Sequence, residues 1–276
     1  MIFADNPQMK IKEITCKTAL SPSKLPGLDY ALNPYLGCDH QCAYCYVPTV
    51  LHMNQDQWKE CISVKRNIPL KLAKELSKKR RGVVGISTVT DAYQTIEKKY
   101  RITRYCLEQL QKFDFPIQIQ TKSDLVLRDI DLIKRFSQAE IMMSIGTFND
   151  KYRSILEPNA CSIEKRIKVL DELKESKSIK TSVFLGPLYP DISLNDMIEL
   201  LDQFIELDLS TILIDNLHLK PGLKEQIRLI LHDDESLKSA FEEHIFKSSN
   251  WFQNISKEIK KYVKHHSTKI IVKDAF

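Results

Sequence analysis

The chain of 276 residues carries 41 lysines and arginines against 36 aspartates and glutamates, a net charge of +5, with 43% hydrophobic and 28% charged residues. That much apolar content supports a sizeable folded core and excludes a disordered or fibrous chain. No run approaches the roughly 18 apolar residues of a membrane span, and the mild positive charge permits a phosphate-bearing partner without demanding one.

Residues 1–29, with Pro7, Pro22 and Pro26, read as an extended lead-in whose Ile11, Ile14 and Leu20 can cover one side of the fold. The opening Met1-Ile-Phe-Ala-Asp-Asn is neither basic nor followed by an apolar core, so no secretory signal is expected. Seven cysteines then point to thiols in a reducing cytoplasm, not to a disulfide framework.

From residue 30 onward, apolar β-branched runs alternate with amphipathic stretches, the pattern of strand–helix units around a parallel sheet. Strands are predicted at Tyr30–Leu36, Gly82–Ser87, Ile117–Thr121, Ile141–Ile145, Thr181–Leu185 and Thr211–Ile214. Helices are predicted at Ile68–Lys79, Ile102–Lys112, Arg128–Phe136, Ile163–Glu175, Leu194–Leu207 and Leu223–Leu231. Six such repeats over 30–220 make an α/β fold, a partial TIM barrel, which places functional residues at the carboxyl ends of its strands. Those ends carry Ser87 to Asp91, Gln120 to Ser123, Ser144 to Thr147, Gly186-Pro187 and Asp215-Asn216. Residues 221–276 are expected to form a helical C-terminal extension on the substrate side. Its Lys257, Lys260, Lys261, Lys264, His265 and His266 lie beside Trp251-Phe252, ingredients of nucleic-acid binding. An amphipathic helix facing inward with Ile255, Ile259, Tyr262 and Val263 accounts for the same residues.

The densest chemistry lies in Asn33-Pro-Tyr-Leu-Gly-Cys38-Asp-His-Gln-Cys42-Ala-Tyr-Cys45-Tyr. Three thiolates from one short loop select a soft metal. A structural zinc wants four ligands, usually as two separated pairs, and no second pair occurs in the sequence. A four-iron cluster held by three cysteines keeps one iron open to an outside ligand. Cys16, Cys61, Cys106 and Cys161 are scattered singly and read as small packing residues.

The string Cys38-x3-Cys42-Ala-Tyr44-Cys45-Tyr46, with Asn33 to Gly37 before it, resembles the cluster loop of the radical S-adenosylmethionine (radical SAM) superfamily. The likeness is to the branch of spore photoproduct lyase-like proteins. Ile86 to Gln94, Gln120-Thr-Lys122-Ser and Leu156-Glu157-Pro158-Asn-Ala160-Cys-Ser162 extend it over roughly residues 30 to 190. The resemblance implies a [4Fe-4S] cluster on Cys38, Cys42 and Cys45, with S-adenosylmethionine (SAM) as second cofactor. It implies Lys122 beside the SAM carboxylate, Ser144 as a neighbouring polar contact and Tyr44 near the adenine. Arg166 is a further candidate for carboxylate binding, since an arginine offers a planar fork.

The activity implied is reductive cleavage of SAM to a 5′-deoxyadenosyl radical that removes hydrogen from a substrate, with a ferredoxin- or flavodoxin-type donor as electron source. The substrate is open, nucleic acid among the candidates. Lyases of the branch return hydrogen from a cysteine near the end of the second strand, where this chain has Ser87, Thr88, Val89 and Thr90, so the likeness implies the family and not dimer repair itself. No residue is identified for that step; Cys106, Cys161, Tyr93 and Tyr46 are candidates for a hydrogen relay. The competing reading is a non-catalytic iron–sulfur or zinc protein that carries electrons, which would have no use for Lys122, Ser144 and Arg166.

Overall fold

The computed structural model describes residues 9–191, 193–247, 250–266 and 269–275, so the first eight residues of the lead-in lie outside it. The chain divides into two compact units. The first comprises residues up to Gln41, then Val47–Gln120 and Leu125–Ala139; the second takes Cys42–Tyr46, Thr121–Asp124 and everything from Glu140 onward.

The first unit holds strands β1 (Lys10–Ile14), β2 (Leu20–Pro22), β3 (Tyr30–Leu32), β4 (Tyr35–Leu36), β5 (Cys61–Lys65), β6 (Val84–Ile86) and all but the last residue of β7 (Ile117–Thr121). Strands β2, β3, β6 and β7 follow one another as neighbours, with β2 antiparallel to β3 and the other pairs parallel. A separate three-stranded sheet sets β5 between β1 and β4. The single strand predicted at Tyr30–Leu36 is thus two strands in two sheets. Pro34 has no N–H to give to a ladder and restricts the residue before it. Asn33 at the break instead accepts from Val89 N (3.1 Å) and donates to Thr88 Oγ1 (3.3 Å).

Helix Ile68–Leu76 opens with a proline in its first turn and buries Ile68, Leu72 and Leu76, one face at four-residue spacing. It packs on helix Ile102–Lys112, which buries Ile102, Cys106, Leu107 and Leu110. Each fully buried leucine or isoleucine contributes roughly 1.5–3 kcal/mol of transfer free energy. The helix predicted at Arg128–Phe136 is shorter, Ile130–Ile133, preceded by a 3-10 turn at Asp124–Asp129, because Arg128 is drawn into side-chain bonds with Glu97 and Asp129.

In the second unit, all but the first residue of β8 (Ala139–Ser144), then β9 (Ile179–Leu185), β10 (Thr211–Ile214) and β11 (Ile271–Asp274) follow one another. The pairs β9/β10 and β10/β11 are parallel, with Thr211 opposite Ser182 on one side and Ile271 on the other. Helix Ile163–Leu173 starts where Ser162 Oγ accepts from Lys165 N, and helix Leu194–Glu206 starts at a Ser193/Asp196 capping box. The C-terminal region is not wholly helical. After helices Leu223–Ile230, Glu235–Phe241 and Trp251–His265 it returns as β11. Helix Trp251–His265 buries Ser256, Ile259 and Val263 and spreads its lysines outward, with Lys260 on Asp274 and Tyr262 Oη on Asp202, as the amphipathic account of the basic stretch requires. Among the described residues, no helix is long and apolar enough to cross a membrane.

Candidate metal centre

Cys38, Cys42 and Cys45 are in no disulfide among the described residues, and each is half-buried. Cys38 lies in the first unit, Cys42 and Cys45 in the second, and each part of the loop is held by residues of its own unit.

In the first unit the approach to Cys38 turns on Gly37, whose φ of +92° favours glycine and whose position leaves no room for a Cβ, which would stand 2.3 Å from the Cys61 carbonyl oxygen. The Gly37 carbonyl accepts from Thr90 Oγ1 (2.6 Å) and Gln94 Nε2 (3.3 Å), and Asp39 N donates to Gln94 Oε1 (3.1 Å). His40 is buried with Nδ1 3.5 Å from Asp91 Oδ2. Three residues before Cys38, Tyr35 is wholly buried and its hydroxyl donates to Glu97. Arg128 Nη2 binds the other oxygen of that carboxylate at 2.6 Å.

In the second unit the segment 42–46 is tied by its backbone. Ala43 N donates to Leu156 O (2.8 Å), Gln226 Nε2 donates to Ala43 O (2.9 Å), and Cys45 N closes a turn on Cys42 O (3.1 Å). Ala43 and Tyr44 sit in an apolar cluster with Leu156, Tyr189, Ile227 and Phe241. The Tyr44 hydroxyl donates to Glu157, whose second oxygen receives Arg166 Nη2. Burial alone would raise the Glu157 pKa, but the Arg166 and Lys122 charges and the Tyr44 hydrogen bond hold it below the ordinary glutamate value. Burial pushes the Cys42 thiol up to about 12, against the pull of Lys122. A bare Cys42 is therefore protonated at neutral pH, and a cation bound there must displace that proton.

Of the residues singled out in the sequence, the second unit gathers most around Tyr44. The Lys122 ammonium lies 5.8 Å from the Tyr44 ring centroid. Ser144 ends β8, buried, and its carbonyl accepts from Arg166 Nη1 at 2.8 Å. Cys161 Sγ points to the Lys122 carbonyl at 2.9 Å, while Cys161 O accepts from Arg166 Nε at 3.0 Å. Arg166 has no exposed surface and directs its guanidinium to Glu157, Ser144 O and Cys161 O. Tyr93 and Cys106 are in the first unit, Tyr93 buried beside Asp129 and Glu97, Cys106 in the apolar face of its helix.

No role for Glu157, Glu97, Tyr35 or Gln226 is readable from the residues alone, because each meets its partner only after the chain folds back. Two carboxylates past strand ends also join the second unit: Asp215 after β10, 3.0 Å from His218 Nε2, and Asp191, which accepts from Thr147 Oγ1 at 2.8 Å. Burial raises the Asp191 pKa to about 6.

The donor set fits an iron–sulfur cluster. The loop offers three thiols, its His40 being buried against Asp91, and among the described residues no three His, Cys, Asp or Glu converge to hold one metal ion. In a four-iron cluster each thiolate binds a different iron. Tyr44, Tyr189 and the C-terminal helices give the second-unit part of the loop an apolar wall, which tunes such a centre by limiting water.

A family model described as the radical SAM superfamily matches residues 32–204. An uncharacterized protein of Methanocaldococcus jannaschii is 39% identical over 190 residues, which are 68% of this chain and 71% of its own. A radical SAM Nalpha-GlyT isomerase of Pseudomonas phage M6 is 31% identical over 166 residues, 59% of this chain but only 34% of its own. A solved spore photoproduct lyase, complexed with dinucleoside spore photoproduct, matches with a TM-score of 0.70 at 16% identity, covering 95% of this chain and 81% of that one. At that identity the likeness establishes the fold, an α/β partial TIM barrel.

Proposed function

Because this chain belongs to the radical SAM superfamily, we propose that Cys38, Cys42 and Cys45 hold a [4Fe-4S] cluster beside a SAM site made by Tyr44, Lys122 and Ser144. The observation that carries this reading is the placement of Lys122 over the ring of Tyr44, the residue between the second and third cysteines. Bound there, the cluster and SAM together supply a 5′-deoxyadenosyl radical by one-electron cleavage of the sulfonium, the electron coming from a low-potential ferredoxin or flavodoxin.

The chain's own residues then have distinct tasks. Lys122 presents a point charge suited to a carboxylate, and the buried Ser144 a short polar contact. Tyr44, fixed by Glu157, offers a flat face at one depth. Arg166 acts through Glu157, since its donors already serve Glu157 and two carbonyls. The apolar wall of Leu156, Tyr189 and Phe241 keeps water from that side. Nucleic acid is the first substrate class to test, because the lyase of the same fold was solved with a dinucleoside and this chain carries a net charge of +5.

The test is anaerobic reconstitution with iron and sulfide, dithionite reduction, and measurement of 5′-deoxyadenosine from added SAM with and without DNA or RNA. Formation that disappears in Cys38→Ala, Cys42→Ala and Cys45→Ala supports the reading. A reconstituted cluster that cleaves no SAM under any of these conditions overturns it.

A further inference from the structure

Two tyrosines flank the cysteine loop from within, and each is held by the same device in its own unit. Tyr35, three residues before Cys38, gives its hydroxyl to Glu97 Oε2, while Arg128 Nη2 takes Glu97 Oε1. Tyr44, between Cys42 and Cys45, gives its hydroxyl to Glu157 Oε1, while Arg166 Nη2 takes Glu157 Oε2. Both glutamates are buried, Glu97 at 0% and Glu157 at 1% exposure. The surroundings differ: Arg128 also grips Asp129 through Nε (2.9 Å) and Nη2 (2.7 Å) and gives Nη1 to Glu97 O at 3.0 Å, while Glu97 accepts in addition from Thr103 N (3.0 Å) and Arg104 N (3.4 Å); Arg166 continues to Ser144 O and Cys161 O.

Buried ion pairs are poor devices for stability, since desolvation consumes much of the attraction. One behind a tyrosine just before the ligand loop and one behind a tyrosine within it therefore call for a reason beyond the pairing itself. A tyrosine ring alone could pack in the core in more than one depth and tilt; a hydroxyl fixed to a carboxylate, itself fixed by a forked guanidinium, has one. Cys45, next to Tyr44, then has its Cα and Cβ placed before any metal arrives, and the backbone that leads into Gly37 and Cys38 is fixed three residues upstream at Tyr35.

We propose that Tyr35–Glu97–Arg128 and Tyr44–Glu157–Arg166 are paired clamps that preset the positions of the cysteine ligands, Glu97 and Glu157 acting as positioning residues for the cluster. This rests on the reading of Cys38, Cys42 and Cys45 as ligands. It assigns to the two glutamates a task that neither touches the cofactor nor requires proton transfer. Loss of a clamp leaves the thiols present and the loop free to open, so the cluster forms but is released more readily.

The experiment compares reconstituted full-length wild type with Tyr35→Phe, Tyr44→Phe, Glu97→Gln and Glu157→Gln. It follows the loss of visible absorption after a chelator is added, with the electron paramagnetic resonance spectrum of the reduced cluster and far-UV circular dichroism alongside. Each variant is expected to release iron about tenfold faster, the usual scale for removing an outer partner of a metal ligand, with an altered resonance line shape and unchanged circular dichroism. The double variant Tyr44→Phe/Glu157→Gln is expected to release iron no faster than the worse single variant, because the two residues act as one unit. The phenylalanine variants remove only a hydroxyl, so a glutamine variant that fails to fold, its arginine having lost that counter-charge, still leaves the clamp tested. Release at the wild-type rate in all the folded variants overturns the proposal. Cys42→Ala separates the two ideas: iron uptake equal to wild type would overturn the ligand reading, whereas an empty Cys42→Ala beside wild-type-like tyrosine and glutamate variants would overturn the clamps alone.

Discussion

Replacing Arg166 by alanine is the sharpest test of how the second unit is held. The guanidinium is wholly buried and satisfies a carboxylate oxygen of Glu157 and the carbonyls of Ser144 and Cys161. Removing one member of a buried pair costs about 3–5 kcal/mol, because the other charge stays behind unpaired. The two carbonyls would each add about 1–3 kcal/mol if left dry, but the space vacated by the side chain admits water, so a total of about 4 kcal/mol is expected. That is a large share of the 5–15 kcal/mol that stabilises a typical domain. Urea unfolding of the cluster-free chain by circular dichroism should show a lowered midpoint at unchanged slope. Arg166→Met combined with Glu157→Leu should recover most of the loss, since the orphaned charge goes with its partner. Arg166→Lys should recover little, as an ammonium cannot reach three acceptors in three directions. A loss below about 1 kcal/mol in Arg166→Ala, the range of an exposed ion pair, would refute the reasoning.

Other perturbations have equally definite outcomes. Asp191, with its pKa raised to about 6 by burial, favours the folded state while protonated, so its contribution is complete below about pH 4 and is lost as pH rises through 6. Asp191→Asn should remove that dependence, about 1.4 kcal/mol, from unfolding free energies compared at pH 5 and pH 7.5; an unchanged pH profile would count against the burial argument. Gly37→Ala puts a Cβ against the Cys61 carbonyl at a φ of +92° and should lower both the melting temperature and the iron content after reconstitution. Lys122→Ala should weaken SAM binding roughly 10- to 100-fold by equilibrium dialysis while leaving the iron content intact, the worth of a hydrogen bond to a charged group; unchanged binding would remove Lys122 from the site. Ser162→Ala deletes the cap of helix Ile163–Leu173 and should cost about 1 kcal/mol in urea midpoints.

How much of this was legible depended on whether a residue's partner is its neighbour in sequence. Strands β7 and β10 lie at the residues predicted, because Ile117 and Ile119 alternate with glutamines and Thr211–Ile214 is a short apolar run. Strands β1 and β11 were not predicted. Lys10–Ile14 is almost wholly exposed and Ile271–Asp274 nearly so, so neither carries the apolar pattern that marks a strand. The cysteine spacing is local and was readable in full. Arg166, by contrast, sits on a helix with Lys165 and Lys168 and could equally have been a surface charge; only the fold turns it inward. Glu97 and Glu157 were invisible as hubs because a buried glutamate and an exposed one are spelled alike, and their tyrosines lie 62 and 113 residues away.

Those separations also set the order of events during synthesis. Ala43 waits for the Leu156 carbonyl and then for the Gln226 amide, 183 residues further on. At translation rates of 5–20 residues per second, Cys42 and Cys45 spend about ten to forty seconds outside the ribosome before the last of that shell exists. During that interval they are ordinary exposed thiols, open to oxygen and to stray metals. On the ligand reading proposed above, the second-unit part of the loop gains its full set of backbone partners only after Gln226 has been made, and iron that binds earlier meets two unshielded thiols.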